Sequence, residues 1–245
     1  MIMSHIKLYI LVIASLIFIS GCTNSEFGSS GEGEDYYAPV SGLWTGTQRS
    51  LEDGEVSDAV VISSDDGEFR FVIGHGPVSH GFTYSHENEF SGTVQSFGEV
   101  GDVSGIYLKN EKVSGVLDFG SNSKVESSVF ELELDTSDLN GSSLENISGT
   151  YSYTWDSGHT ETLTISEEGV IEGSNSVGCI YNGFVTLINP EFNAYRAEFY
   201  VANCDSLNGV YQGLMAISNE WYQDEWLFMS FDNDGLAWNT ILQRI

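Results

Sequence analysis

The sequence predicts an all-β protein: two tandem up-and-down antiparallel barrels of about eight strands each, with a β-sandwich as the competing architecture. Three observations carry this. Apolar residues recur at every second position rather than at helical spacing. Turn-forming pairs separate the apolar runs. Segments of the first half reappear in the second half in the same order.

The alternation is clearest in three runs. In one, Phe130, Leu132 and Leu134 share a face, with Glu131 and Glu133 opposite. In another, Ala197, Phe199 and Val201 alternate with Arg196, Glu198 and Tyr200. In the third, Phe69, Phe71 and Ile73 alternate with Glu68, Arg70 and Val72. A period of two places such residues on one face of a strand. Asp66-Gly67, Glu168-Gly169, Asn182-Gly183, Asn208-Gly209 and Asp234-Gly235 supply turn signals. In the second half the runs fall near 149–156, 160–166, 169–174, 180–189, 194–203, 208–218, 223–231 and 236–243. Short strands joined by hairpins leave two exposed sheet edges, and closure into a barrel removes both.

Three pairs of segments match. Val40-Ser41-Gly42-Leu43-Trp44 matches Ile147-Ser148-Gly149-Thr150-Tyr151. The run from Val61 to Gly67 matches that from Leu163 to Gly169. Ser114-Gly115-Val116 matches Asn208-Gly209-Val210. The expected organisation is a leader at 1–21, a tether at 22–39, a first barrel at 40–140 and a second at 141–245.

Residues 1–21 read as a secretory signal: a start carrying Lys7, then an apolar core from Leu8 to Ile19. That core is shorter than the ~20 residues a membrane-spanning helix needs. Ile19-Ser20-Gly21-Cys22 resembles the bacterial lipobox. The resemblance implies cleavage before Cys22, a lipid on its sulfur and acylation of its amino group. The small residues admit the peptidase, and the thiol is the group that takes the lipid. Thr23 follows where an aspartate would favour the inner membrane, so the resemblance implies the outer membrane. Several acyl chains hold a protein to a bilayer with no spanning segment. From Thr23 to Pro39 the chain is rich in Gly, Ser and Glu, a flexible tether with a reach of about 23 Å.

With Cys22 lipidated, Cys179 and Cys204 remain as a pair in an oxidising compartment. They are expected to form a disulfide, the alternative being two buried thiols. Aligning Val177 with Val78 sets Cys179 over His80 and Cys204 over Gly105. The bond then belongs to the second barrel alone, and the first is expected to be the less stable.

The Gly42-Leu43-Trp44 opening resembles the strand-one motif of lipocalin and avidin type barrels, with Tyr151 in place of Trp in the second copy. The second copy is also similar to domains of bacterial lipoproteins of unassigned activity. The likeness rests on Gly149-Thr150-Tyr151, the Thr164 to Gly169 hairpin, Gly178-Cys179, and Cys204 followed by Asn208-Gly209, Tyr211 and Gly213. It implies no activity.

The chain has 36 acidic against 8 basic side chains, a formal net charge of −28. Such a surface repels phosphate backbones, so nucleic acid is excluded as a partner. The acids confer solubility, and they also attract cations or a basic partner. Aromatic content is high, with 14 Phe, 12 Tyr and 5 Trp, enough for a substantial core.

Signals of catalysis are absent. There is no Gly-x-Ser-x-Gly elbow and no phosphate-binding glycine loop. Asp156, Ser157 and His159 are too close in sequence to form a triad. His80 and His86 share a strand face ~20 Å apart, too far for one zinc, although a turn at Pro77 could bring His75 to His80. The Asp232-Asn233-Asp234-Gly235 segment lacks the distal glutamate of a calcium loop, since position 241 is Ile. No metal or cofactor is expected. Trp221, Tyr222 and Trp226 form the densest aromatic cluster, among Glu220, Asp224 and Glu225, and are the candidate ligand or partner surface.

The sequence therefore predicts a non-enzymatic, lipid-anchored envelope protein that binds a small apolar ligand or another envelope protein. A structural or adhesive protein with filled barrels is the alternative, and a hydrolase a remote one. A lumen large enough for a ligand separates the first two.

Overall fold

The computed structural model describes residues 40–74, 80–219, 224–233 and 236–245, Leu236 by its backbone alone. The leader, Cys22, the tether, His75, Trp221 and Tyr222 lie outside them. The described chain makes two closed eight-stranded antiparallel barrels with each strand bonded to its sequence neighbours, which excludes the sandwich.

The first barrel comprises β1 (Gly42–Ser50), β2 (Val56–Ser63), β3 (Glu68–Ile73), β4 (His80–His86), β5 (Glu89–Ser96), β6 (Glu99–Leu108), β7 (Lys112–Asp118) and β8 (Ser128–Leu134). The second comprises β9 (Gly149–Thr154), β10 (Thr160–Ile165), β11 (Val170–Asn175), β12 (Ile180–Leu187), β13 (Tyr195–Ala202), β14 (Gly209–Ser218), β15 (Trp226–Asn233) and β16 (Leu236–Arg244). The expected alternation sets the inward faces of β8 and β13. In β3 only Phe69 and Phe71 follow it: Ile73 packs with Val72 outside the lumen, and Glu68 and Arg70 are buried as well. Phe71, Phe130 and Leu132 join the first core, and Ala197, Phe199 and Val201 the second.

The first repeated motif does the same work twice. Trp44 Nε1 donates to the carbonyl of Val40 at 2.7 Å, and Tyr151 Oη donates to that of Ile147 at 2.8 Å. Each ring thereby closes the lower end of its barrel on the chain just before β1 or β9. The motif's glycine has a positive φ in both copies, +121° at Gly42 and +151° at Gly149. A Cβ on Gly42 would lie 2.4 Å from the Asp138 carboxylate. That carboxylate accepts from the amides of Leu43 and Asn193.

Strand register corrects three sequence expectations. Ser114-Gly115-Val116 lies in β7, whereas Gly209-Val210 opens β14, the sixth strand of its barrel, so that match is fortuitous. Thr83 bonds to Gly67 as Val185 bonds to Gly169, which aligns Thr83 with Val185 and moves Cys179 off His80. Cys204 lies between β13 and β14, whose counterpart is the β5–β6 turn and not Gly105 in mid-strand. Third, Asn182-Gly183 is not a turn but the middle of β12. A Cβ on Gly183 would meet the Glu198 carbonyl at 2.2 Å, so glycine serves close strand packing there.

Both barrels belong to one compact unit. The outer face of β1, β2 and β3 packs on that of β14 and β15 through Leu43, Val60, Ile62 and Val72 against Leu214, Ala216 and Phe228. Strands buried on both faces lose their alternation, which accounts for the unbroken runs Ala59–Ile62 and Leu214–Ile217. An ionic cluster borders this apolar contact. Arg70 pairs with Glu68 at 2.7 Å and Asp232 at 2.9 Å, and Arg196 with Glu68 at 2.7 Å and Asp66 at 3.0 Å. Asn239 donates to the carbonyls of Phe71 and Val72. The linker holds a 3-10 turn (Thr136–Asn140) and α1 (Leu144–Ile147), and the expected boundary at 140–141 falls between them. Asp135 accepts from Ser218 at 2.8 Å, tying the linker to the second barrel.

Candidate ligand-binding cavity

The two lumens differ. The first holds an apolar cavity of about 30 Å³ between Trp44, Phe71, Phe90 and Phe130. The second opens at one end into a cavity of about 460 Å³, within the range of small-molecule sites. That end is made by the last residues of β9, β11 and β13 and the first residues of β10, β12, β14 and β16.

Register explains the difference residue by residue. Trp44 faces Val61 as Tyr151 faces Leu163, so Ala59 occupies in the first barrel the place of Glu161 in the second. Leu134 faces Trp44 as Arg244 faces Tyr151, so Phe130 holds the place of Thr240. Phe119 and Val125, on the segment between β7 and β8, are buried in the first core. In the second barrel β15 ends at Asn233 and β16 begins at Leu236, so no comparable segment exists to fold inward. The seam is also shorter. Seven facing pairs join β1 to β8, whereas β9 meets β16 only at Ser152–Gln243 and Tyr151–Arg244.

Aromatic rings form much of the wall. Trp238 on β16 lies 5.4 Å from both Tyr181 on β12 and Phe199 on β13, and 6.3 Å from Tyr211 on β14, measured between ring centres. Trp155 and His159, 5.3 Å apart, line the cavity from the β9–β10 turn. The Cys179–Cys204 disulfide, with Cα atoms 4.8 Å apart, also lines it and ties the start of β12 to the β13–β14 connection. Cys179 N donates to Asn175 Oδ1 at 3.0 Å, which shapes the β11–β12 turn.

Glu161 is the distinctive lining group. It lies on the inward face of β10 with Leu163 and Ile165 and is 3% exposed. Thr240 Oγ1 donates to its carboxylate at 3.3 Å. Tyr181 also hydrogen-bonds it, and Asn175 Nδ2 donates to the Tyr181 hydroxyl at 2.8 Å. These donors are all neutral. Burial pushes the Glu161 carboxyl up to about 7, against the lowering effect of those hydrogen bonds. Burial and the neighbouring carboxylate raise the Tyr181 hydroxyl well above its ordinary value.

Of the residues singled out from the sequence, Trp226 opens β15 at the end of the barrel opposite the cavity. It is half-buried against the contact between the barrels, with its ring 6.1 Å from Tyr153. His80 pairs with Asp232 at 3.2 Å, and burial lowers its pKa against the opposing effect of that carboxylate. His86 is exposed at the end of β4. Among the described residues no group of three His, Cys, Asp or Glu side chains is placed to hold a metal. Glu161 was missed because acids are so common here. The available signal was its place on the apolar face of Thr160–Ile165, two residues from Leu163.

Comparison with known protein families and with curated proteins finds nothing that matches this chain.

Proposed function

We propose that this chain is an exported, lipid-anchored binding protein whose second barrel holds one small ligand and whose first barrel is a filled structural companion. The observation that carries the reading is the contrast between a 460 Å³ cavity with a polar floor in one barrel and a 30 Å³ apolar remnant in the other. Anchoring rests on the Ile19 to Cys22 motif, and outer-membrane placement on Thr23. No catalytic role is assigned: the buried carboxyl of the cavity lies among neutral donors, with no nucleophile elbow in the chain.

Native mass spectrometry of the protein purified from an oxidising periplasm tests the binding reading. The expected spectrum carries extra mass that disappears on denaturation. The Glu161→Ala/Thr240→Phe double variant copies Ala59 and Phe130 of the first barrel and should fold yet lose that mass. A bare peak for the unaltered protein, with no ligand recovered from a lipid and metabolite extract, would favour a structural or adhesive protein. For anchoring, labelled palmitate should enter the full chain and not the Cys22→Ser variant.

A further inference from the structure

We propose that the cavity of the second barrel takes a small organic cation, an amine with an aromatic or apolar body, whose ammonium pairs with Glu161 while its body lies among Tyr181, Tyr211, Trp155 and Trp238. This rests on the ligand-holding reading above and names the chemistry of the ligand.

Four observations support it. First, Glu161 is 3% exposed and lines the cavity, yet its hydrogen-bond partners are a threonine and a tyrosine. An ionised carboxylate in such a place is stable only with a compensating charge, and the bonded side chains bring none. Second, the donors are polarised towards it. Asn175 donates to Tyr181, Tyr181 is bonded to the carboxyl, and Thr240 donates from the other side. Such a chain prepares an anion to receive a cation. Third, the titratable groups around it do not supply that cation. Tyr181 and Tyr211 are held neutral by burial, and Asp205 adds a second acid. His159, the one basic side chain among the described lining residues, is not among the groups that act on the Glu161 carboxyl. Fourth, Trp155, Tyr181, Tyr211 and Trp238 line the cavity, and aromatic rings attract a cation seated over them, more strongly when water is excluded.

Other ligand classes fit less well. An anion would meet Glu161 and Asp205 inside a molecule of net charge −28, whose field concentrates cations at its surface. A wholly apolar ligand would strip water from Glu161 and leave the carboxyl with nothing in exchange. The first barrel supports the same conclusion, because where Glu161 becomes Ala59 the lumen is filled by Phe130. The carboxyl and the open space occur together.

The test is calorimetric titration of the full-length protein in non-ionic detergent at about pH 8, where Glu161 is ionised. The probes are two matched sets: 2-phenylethylamine, 2-phenylethanol and 3-phenylpropanoate, then tryptamine, tryptophol and indole-3-propionate. At least one amine should bind about tenfold or more tighter than its alcohol, and the acids should not bind. In Glu161→Gln, which keeps the side-chain shape, that preference should fall to within about twofold. Asp205→Asn at the rim should change amine affinity by less than about twofold. Alcohols or acids binding as tightly as the amines, or an unchanged preference in Glu161→Gln, would overturn the cation assignment and leave ligand binding standing. So would a co-purified ligand that proves neutral or anionic. Silence from all six probes, with no co-purified mass in native spectra, would overturn both.

Discussion

At the residue scale, the same physics that shapes the cavity makes Glu161 a weak point of the fold. Its folded carboxyl titrates near 7, above its ordinary value of 4.5, because burial disfavours the charged form. Below pH 4.5 both the folded and the unfolded states are protonated, and the group is neutral in the balance. Between 4.5 and 7 the unfolded chain loses the proton first, so stability falls as pH rises, and above 7 the full cost is present. Glu161→Gln should therefore be more stable than the parent above pH 7 by up to about 3 kcal/mol, and equal to it near pH 4. Urea denaturation across that range measures both limits. A variant that is no more stable at pH 8 would mean that the carboxylate already has a cation beside it. Gly42 makes a second residue-scale prediction. Gly42→Ala places a side chain at φ +121° and 2.4 Å from the Asp138 carboxylate. It should cost about 2 kcal/mol or more, read as a shift of the urea midpoint.

At the element scale, the disulfide differentiates the barrels. It closes a loop of 25 residues and joins two connections that line the cavity. The chain-entropy account gives about 3.5 kcal/mol for such a loop. Reduction should lower stability by about that amount and speed amide exchange in β12 and β14 more than in β4 and β6. It should also weaken ligand retention, because the walls near Asn175 and Leu207 would no longer be held together. Equal exchange in both barrels after reduction would show that the bond acts on the unfolded chain alone. The expectation that the first barrel is the less stable one is answered by the same exchange data. A filled lumen and a seam of seven facing pairs act in the opposite direction to the missing bond, so the exchange rates decide which effect is larger.

At the scale of the whole molecule, the contact between the barrels decides how the protein unfolds. Leu43, Ile62, Leu214 and Phe228 are fully buried there, and each is worth about 1.5–3 kcal/mol relative to exposure. Arg70, 5% exposed, bridges Glu68 of its own barrel and Asp232 of the other. Arg70→Ala leaves Glu68 buried with its charge only partly matched by Arg196 and should cost about 3–5 kcal/mol. Calorimetry should then show two separated transitions in place of one. A single transition at an unchanged temperature would mean that the apolar contact alone couples the barrels.

Closure rests on β1 pairing with β8 and β9 with β16, far apart in the chain, which is what excludes a sandwich. The sequence by itself determined most strands and their antiparallel order, because a period of two and the turn pairs between runs act locally. It also determined that the segments around Gly42 and Gly149 are equivalent, since each must place an indole or a phenol beneath its barrel. The tertiary structure alone decided the rest. Ala59–Ile62 and Leu214–Ile217 read as uninterrupted apolar runs, and only the packing of one barrel on the other explains why both faces are buried. The Ser114 to Val116 match looked like repetition, and register shows it joins strands of different rank. The cavity depends on which of two similar lumens is filled. That is set by Phe119 and Val125 folding inward from a connection, and by Phe130 standing where Thr240 stands in the other barrel. No local pattern encodes the volume that remains after residues distant in the chain have packed.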